Sequence, residues 1–350
     1  MAAYTTVKKP RDYFHTIKYN GSNGDQAITG VGFAPDWMWL KCTTTGYHHR
    51  IFDRVRGVNK NIRSNGTFAE QDIAEGITTF GSDGFTVTQG SNLEYNASGQ
   101  SYVGWNWKAG GGSTSSNTDG DITSNISANS TAGFNIVSYT GTGQADDTIG
   151  HGLGVTPAMI IVKNRSITEN WRVWHKKLAG STSKLALDSN GQADTSSTVF
   201  NGQSSTTFTV GNDPSVNGSG NNIIAYCFKE VRGFSKFGIY TGNGDGDGTF
   251  VYTGFQPAWG MFKMINGSGD WGIWDNVRDG GYRDQPIYKL INANSTAAEQ
   301  SSYASYQIDF VSTGFKIRNT LGEVNSDGNR FIYMAFAELP LVGDSPVTAR

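Results

Sequence analysis

Apolar and polar residues alternate in short runs along this chain, and glycine or asparagine separates one run from the next. A period of two is the signature of half-buried β-strands. Gly and Asn between the runs supply turns that need positive φ. No amphipathic pattern longer than two helical turns is evident. The best helical candidate is 58–77.

The runs recur in order, and the recurrence divides the chain into three diverged copies at roughly 13–108, 133–230 and 233–338. Each copy opens with a short strand and a Gly/Asn turn: Tyr13-Phe-His-Thr-Ile-Lys-Tyr-Asn-Gly-Ser-Asn-Gly24, Gly133-Phe-Asn-Ile-Val-Ser-Tyr-Thr-Gly-Thr-Gly143 and Gly233-Phe-Ser-Lys-Phe-Gly-Ile-Tyr-Thr-Gly-Asn-Gly244. A proline then starts an apolar run ending in lysine, with Pro35 and Lys41, Pro157 and Lys163, and Pro257 and Lys263 all six residues apart. Proline fits the first residue of a strand, where its missing N–H matters least. Eight residues after the lysine comes an aromatic run: His49-Arg-Ile-Phe-Asp53, Trp171-Arg-Val-Trp-His175 and Trp271-Gly-Ile-Trp-Asp275. Phe52-Asp-Arg-Val-Arg56 matches Trp274-Asp-Asn-Val-Arg278, and the second copy has no such segment. Ser82-Asp-Gly-Phe85 matches Ser312-Thr-Gly-Phe315. The last run follows Asn96/Gly99, Asn217/Gly220 and Asn325/Gly328 and ends in Trp107, Phe228 and Phe336.

About a hundred residues per copy, with strands every 8–15 residues, predicts an all-β fold of tandem antiparallel β-sandwich or jelly-roll-like units. Residues 109–132, rich in Gly, Ser, Thr and Asn, read as a flexible linker between copies one and two. Only Val231 and Arg232 separate copies two and three, so those units must lie close. Residues 1–12 and 339–350 read as terminal extensions. Three sandwich units in tandem is the favoured arrangement. One composite β domain, including a closed arrangement about a pseudo-threefold axis, is the alternative.

Composition sharpens this picture. Charged residues are 17% of the 350 and glycine is 46 of them, which suits a turn-rich β protein with a weakly charged surface. Nine Trp and an aromatic share of 12% separate it from disordered chains and supply each unit with a core. The net charge of −2, with no basic run longer than a pair, argues against nucleic acid as partner. No apolar stretch approaches a membrane span, and 1–12 lacks the apolar region of a signal peptide. Cys42 and Cys227 read as free thiols of a protein made in a reducing cytoplasm.

The copies also provide an internal comparison for chemistry. A residue present in every copy holds up the unit, whereas one peculiar to a single copy marks a site. Asp53 and Asp275 occupy equivalent positions in different units, so they are not the paired carboxylates of one glycosidase cleft. Glu70, Asp72 and Glu75 read as a solvated face. Asp245-Gly-Asp-Gly-Thr249 resembles part of a calcium loop, with Asp245 and Asp247 as oxygen donors, but the downstream bidentate Glu is missing and a plain acidic turn is the favoured reading. No cofactor is otherwise expected. Trp171 and Trp174, like Trp271 and Trp274, are three apart on a strand and so point to opposite faces. One of each pair is expected in the core and the other exposed, where beside His175 or Asp275 it could stack on a sugar ring or anchor a partner.

Val31-Gly-Phe-Ala-Pro-Asp-Trp-Met-Trp-Leu-Lys41, Phe52-Asp-Arg-Val-Arg-Gly57, Ser82-Asp-Gly-Phe85, Tyr102-Val-Gly-Trp-Asn-Trp-Lys-Ala-Gly110 and Gly150-His-Gly-Leu-Gly-Val-Thr-Pro157 carry a resemblance over about 13–338. They resemble a repeat of uncharacterised proteins from tailed bacteriophages, especially of marine bacteria, commonly labelled tail or fibre proteins. The resemblance implies a non-enzymatic virion protein, a tail fibre or appendage component that binds host-surface glycan or other virion proteins and forms homo-oligomers. A capsid decoration, knob or tail-assembly protein is the alternative, and a polysaccharide depolymerase ranks below both. The resemblance brings no assigned catalytic or binding residues.

Overall fold

The computed structural model describes residues 5–90, 93–281, 285–344 and 346. Within them the shared sequence features become the same strands in all three copies. The opening strands are Phe14–Asn20, Phe134–Thr140 and Ser235–Thr241. The proline-led strands are Trp37–Cys42, Met159–Asn164 and Phe255–Met264. The aromatic strands are Arg50–Asp53, Arg172–His175 and Gly272–Asp275. The closing strands are Ser101–Trp107, Asn222–Phe228 and Arg330–Pro340. In every unit they pair antiparallel in the order opening, closing, proline-led, aromatic. The strand made last therefore inserts between two made earlier. Pro35 and Pro157 precede their strands, while Pro257 lies inside a longer strand at a shift of register, the other place where a missing N–H is tolerated.

Each unit adds a three-stranded second sheet of one topology. Its outer strands are Gln26–Thr29, Asp147–Gly150 and Phe250–Tyr252. The middle strands are Gly84–Thr88, Thr207–Val210 and Gly314–Ile317, and the inner ones Gly76–Phe80, Phe200–Gln203 and Ile308–Val311. The unit is thus an all-β two-sheet sandwich.

The repeated asparagine has a common task. Asn96, Asn217 and Asn325 are fully buried, and each side-chain oxygen accepts a backbone N–H of the opening turn, from Ser22, Thr142 and Asn243. Each side-chain amide donates to carbonyls of the same turn, Gly24, Gln144 and Asp245. One buried amide in this way satisfies a turn that would otherwise leave polar backbone unpaired.

The proline-led strands are buried on both faces. Met38 and Leu40 pack into the sandwich of the first unit, and Ile160 and Val162 into that of the second. The alternate residues, Trp37, Trp39, Met159 and Ile161, turn to a core shared by all three units, where they meet Trp259 and Met261. The rings there cross unit boundaries. Trp37 stacks on Tyr226 at 4.7 Å between centroids, Phe228 meets Phe237 at 5.8 Å, Trp107 meets Trp259 at 5.5 Å, and Phe14 stacks on Phe336 at 5.1 Å. Such pairs contribute about 0.5–1.5 kcal/mol each beyond area burial. The favoured tandem sandwich units are therefore present, and they also share one interior, as in the composite alternative.

Three further expectations are corrected. Residues 58–77 contain no helix; they carry the short pairing of Lys60–Asn61 with Gln71–Asp72 and the start of Gly76–Phe80. Residues 109–132 are no flexible linker, because Ser115–Asn117 and Ser124–Asn129 extend the large sheet of the second unit beyond its opening strand. Glu70 is no solvated acid, since it is held between Arg56 and Arg165. The residues of 1–12 and 339–350 that are described lie together: Val7 is buried in the shared core and Asp344 N donates to Lys8 O at 3.4 Å.

Candidate functional site

Most chemically conspicuous residues lie at the three seams between units, and each seam repeats the same contacts in cyclic order. Lys163 Nζ of the second unit donates to Thr67 O of the first at 2.9 Å. Lys263 Nζ of the third donates to Asn190 O of the second at 3.0 Å. Lys41 Nζ of the first donates to Thr296 O of the third at 3.2 Å, closing the ring. Burial pulls all three amines down to about 8. The residue that opens each aromatic run reaches across the same seam. Trp171 Nε1 donates to Arg63 O (2.7 Å) and Trp271 Nε1 to Ala186 O (2.9 Å). His49 Nδ1 accepts from Trp39 Nε1, so its Nε2 carries the proton and donates to Asn292 O at 3.1 Å.

The acids complete two of the three seams. Asp53 accepts from Arg56 Nε at 2.5 Å and from Tyr226 Oη of the second unit at 2.7 Å, and Arg56 Nη1 donates to Glu70 at 3.0 Å. Asp275 accepts from Arg278 Nε at 2.5 Å and from Trp105 Nε1 of the first unit at 3.0 Å, and Arg278 Nη1 donates to Glu299 at 3.2 Å. Both arginines are held in the charged form by these acids despite complete burial. The seam between the second and third units replaces the whole set. Its register places His175, Leu178, Ala193 and Met334 where the others have Asp, Arg, Glu and the Tyr or Trp donor. Burial pushes His175 down to about 3, so it is neutral. Removing one partner of a buried ion set strands the other, and in the second copy all members of the set are replaced together.

Seams and sandwich cores together absorb the six aromatic-strand candidates. Trp171, Trp174, His175, Trp271, Trp274 and Asp275 are all buried, and the expected exposed face does not exist. The prediction of opposite faces is right, but both faces are covered. Trp171 and Trp271 point to the shared core, while Trp174 donates to Gly180 O and Trp274 to Tyr306 O inside their own sandwiches. The acidic turn is likewise engaged. Asp245 caps Asp247 N at 2.9 Å, and the Asp247 carboxylate pairs with Lys316 at 2.7 Å and Arg318 at 2.8 Å. Two cations already neutralise it. Among the described residues no group of three or more His, Cys, Asp or Glu stands where it could hold a metal ion. Cys42 and Cys227 are free and buried.

One surface difference between the copies lies on the outer sheet of the third unit. Pairing of Ile28 with Phe85, Ile149 with Phe208 and Val251 with Phe315 aligns the three outer strands. Phe250 and Tyr252 then stand where the first unit has Ala27 and Thr29 and the second has Thr148 and Gly150. Phe250 is 49% exposed and Tyr252 58%. Beside them lie Lys316, paired in register with Phe250, and a cleft of about 340 Å³ lined by Tyr252, Thr253, Glu230, Arg232, Ser235 and Lys236. Lys236 and Lys176 share the Glu230 carboxylate, at 2.6 Å each. The aromatic pair escaped sequence reading because its strand has no motif of its own. Alignment of the three outer strands would have singled it out.

Residues 9–340 match the family described as Domain of unknown function (DUF7483). The chain belongs to that family. No curated protein and no solved structure matches it. The family match spans all three units and the seams between them. No helix among the described residues is long and apolar enough to cross a membrane.

Proposed function

We propose that the chain is a non-enzymatic structural and adhesion protein of a tailed-phage particle, a tail fibre or appendage component. It meets its partner, a host-surface glycan or another virion protein, through the outer sheet of the third unit. The observation that carries this reading is the division of labour among the conspicuous residues. The buried acids, lysines and tryptophans lock units together, whereas a copy-specific aromatic pair on the third unit, Phe250 and Tyr252, faces solvent beside charged groups. Exposed aromatic rings next to hydrogen-bonding side chains suit either a sugar face or a protein hot spot. The resemblance to tailed-phage repeats supports the setting.

Mass spectrometry of purified virions tests the setting, and the protein is expected among their components. Its absence would defeat the proposal. A glycan array tests the contact: if the partner is a sugar, Phe250→Ala with Tyr252→Ala loses binding by at least tenfold. The uncovered edge of the Phe250–Tyr252 strand favours a second reading, a capsid decoration or tail-assembly protein. Labelling the protein on imaged particles separates the two.

A further inference from the structure

We propose that the outer edge of the third unit is a docking edge for an extended segment of a partner protein. The segment would carry an acidic residue, an apolar residue directly after it and a serine two positions further on. The inference rests on the reading above that the third unit is the contact face, and it names the class of partner.

The second unit shows how such an edge is covered. Its outer strand, Asp147–Gly150, is overlaid by the chain's own residues just before the opening strand. Ile122 forms a parallel bridge with Ile149, donates its N–H to Thr148 O at 3.0 Å, and buries its side chain in the core of the sandwich. The Asp121 carboxylate accepts Thr148 N at 3.2 Å and Thr148 Oγ1 at 2.7 Å. Ser124 Oγ donates to Gly150 O at 2.8 Å. The segment then turns into Ser124–Asn129, which pairs antiparallel with the opening strand. Acid, apolar residue and serine thus each satisfy one requirement of the edge: a free N–H, an apolar gap and a free carbonyl.

In the third unit no described segment pairs along the same path. Phe250 and Tyr252 hold the places of Thr148 and Gly150, and Phe250–Tyr252 has one sheet neighbour, the Gly314–Ile317 strand. In antiparallel pairing alternate residues turn their N–H and C=O away from the neighbour. The backbone groups at 250 and 252 therefore face outward, as those at 148 and 150 face the covering segment. The opening strand Ser235–Thr241 is likewise the edge of its sheet. The cleft lined by Ser235, Lys236 and Tyr252 lies between the two edges, at the positions equivalent to those paired with Ala128 and Asn129 in the second unit. The chain cannot cover this path as the second unit does, because Val231 and Arg232 are all that separate the second and third copies. Open edges are normally blunted or covered, and strand addition is a common way to use them. The first unit has blunted its edge: Asp83 caps Gly30 N and Gly32 N beside the small residues Ala27 and Thr29.

The probe is a synthetic peptide copying residues 117–129 of this chain, Asn-Thr-Asp-Gly-Asp-Ile-Thr-Ser-Asn-Ile-Ser-Ala-Asn, added to the intact isotope-labelled protein. Saturable binding is expected, with amide shifts confined to 235–241 and 250–254. N-methylation of the peptide's first isoleucine, which removes the bridging N–H, should weaken binding at least tenfold. Phe250→Lys with Tyr252→Lys, at exposed positions that leave the fold intact, should do the same. No saturable binding at millimolar peptide, indifference to N-methylation, or shifts centred on the first or second unit would overturn the inference. Glycan binding that depends on Phe250 and Tyr252, without peptide binding, would also overturn it while leaving the adhesion function standing.

Discussion

At the scale of single residues, the chain uses its buried charges as fasteners between units. Asp275 is paired with Arg278 and Trp105, and its loss would leave the buried guanidinium with Glu299 and the Ile273 carbonyl. Asp275→Asn should therefore cost about 3–5 kcal/mol, read as a fall in the urea midpoint. Because the second unit fills the same position with an apolar set, Asp275→His, Arg278→Leu, Glu299→Ala and Trp105→Met together should recover most of that loss. A quadruple variant no more stable than the single one would refute the equivalence of the seams. The lysines predict a pH effect. Folded Lys41, Lys163 and Lys263 titrate near 8, below the ordinary amine value of about 10.4. Below pH 8 both states are charged and the full cost of burial applies. Above it the folded state releases its protons first, so the unfolded state binds more and stability rises with pH. Denaturant midpoints should climb from pH 8 to 9, before the buried Cys227 thiol and tyrosines, all shifted up, oppose the trend. A flat or falling profile across that interval would contradict the assignment.

At the scale of elements, composition and pairing disagree most over 109–132. Glycine and serine suggest a loose tether, yet Ser124–Asn129 pairs along its length with Phe134–Thr140. Amide exchange decides between them: the amides of 125–129 that pair with the opening strand should be protected alongside those of that strand, whereas a tether would exchange at the unfolded rate. The repeated strands were legible because alternation, the Pro-to-Lys spacing and the Asn turn are local signals. The edge segment was not, since its apolar anchors, Ile122 and Ile126, stand alone among polar residues. The pair Trp171 and Trp174 shows the same boundary. Periodicity correctly assigned opposite faces, but a strand carries no mark of whether a third layer covers its second face. Phe250 and Tyr252 illustrate the converse, because exposure of an aromatic depends on what the rest of the chain leaves uncovered.

At the scale of the whole molecule, three sandwiches of one topology close on a shared aromatic core, and every seam is fastened by the same lysine and by Trp or His. A unit alone would expose Trp37 and Trp107, or Phe134 and Phe228, or Trp259 and Phe336. The ring hands each unit's inner face to its neighbours and leaves the outer sheets free to diverge. The outer sheet of the third unit differs in carrying the exposed Phe250 and Tyr252, the edge proposed above for partner contact. The three units should therefore unfold as one cooperative body, although chains beyond about 150 residues commonly unfold in steps. Differential scanning calorimetry of the intact chain tests it directly. One transition is expected, with calorimetric and van't Hoff enthalpies equal, whereas two or three resolved transitions would mean that the sandwiches are independent domains and that the shared core does not hold them together.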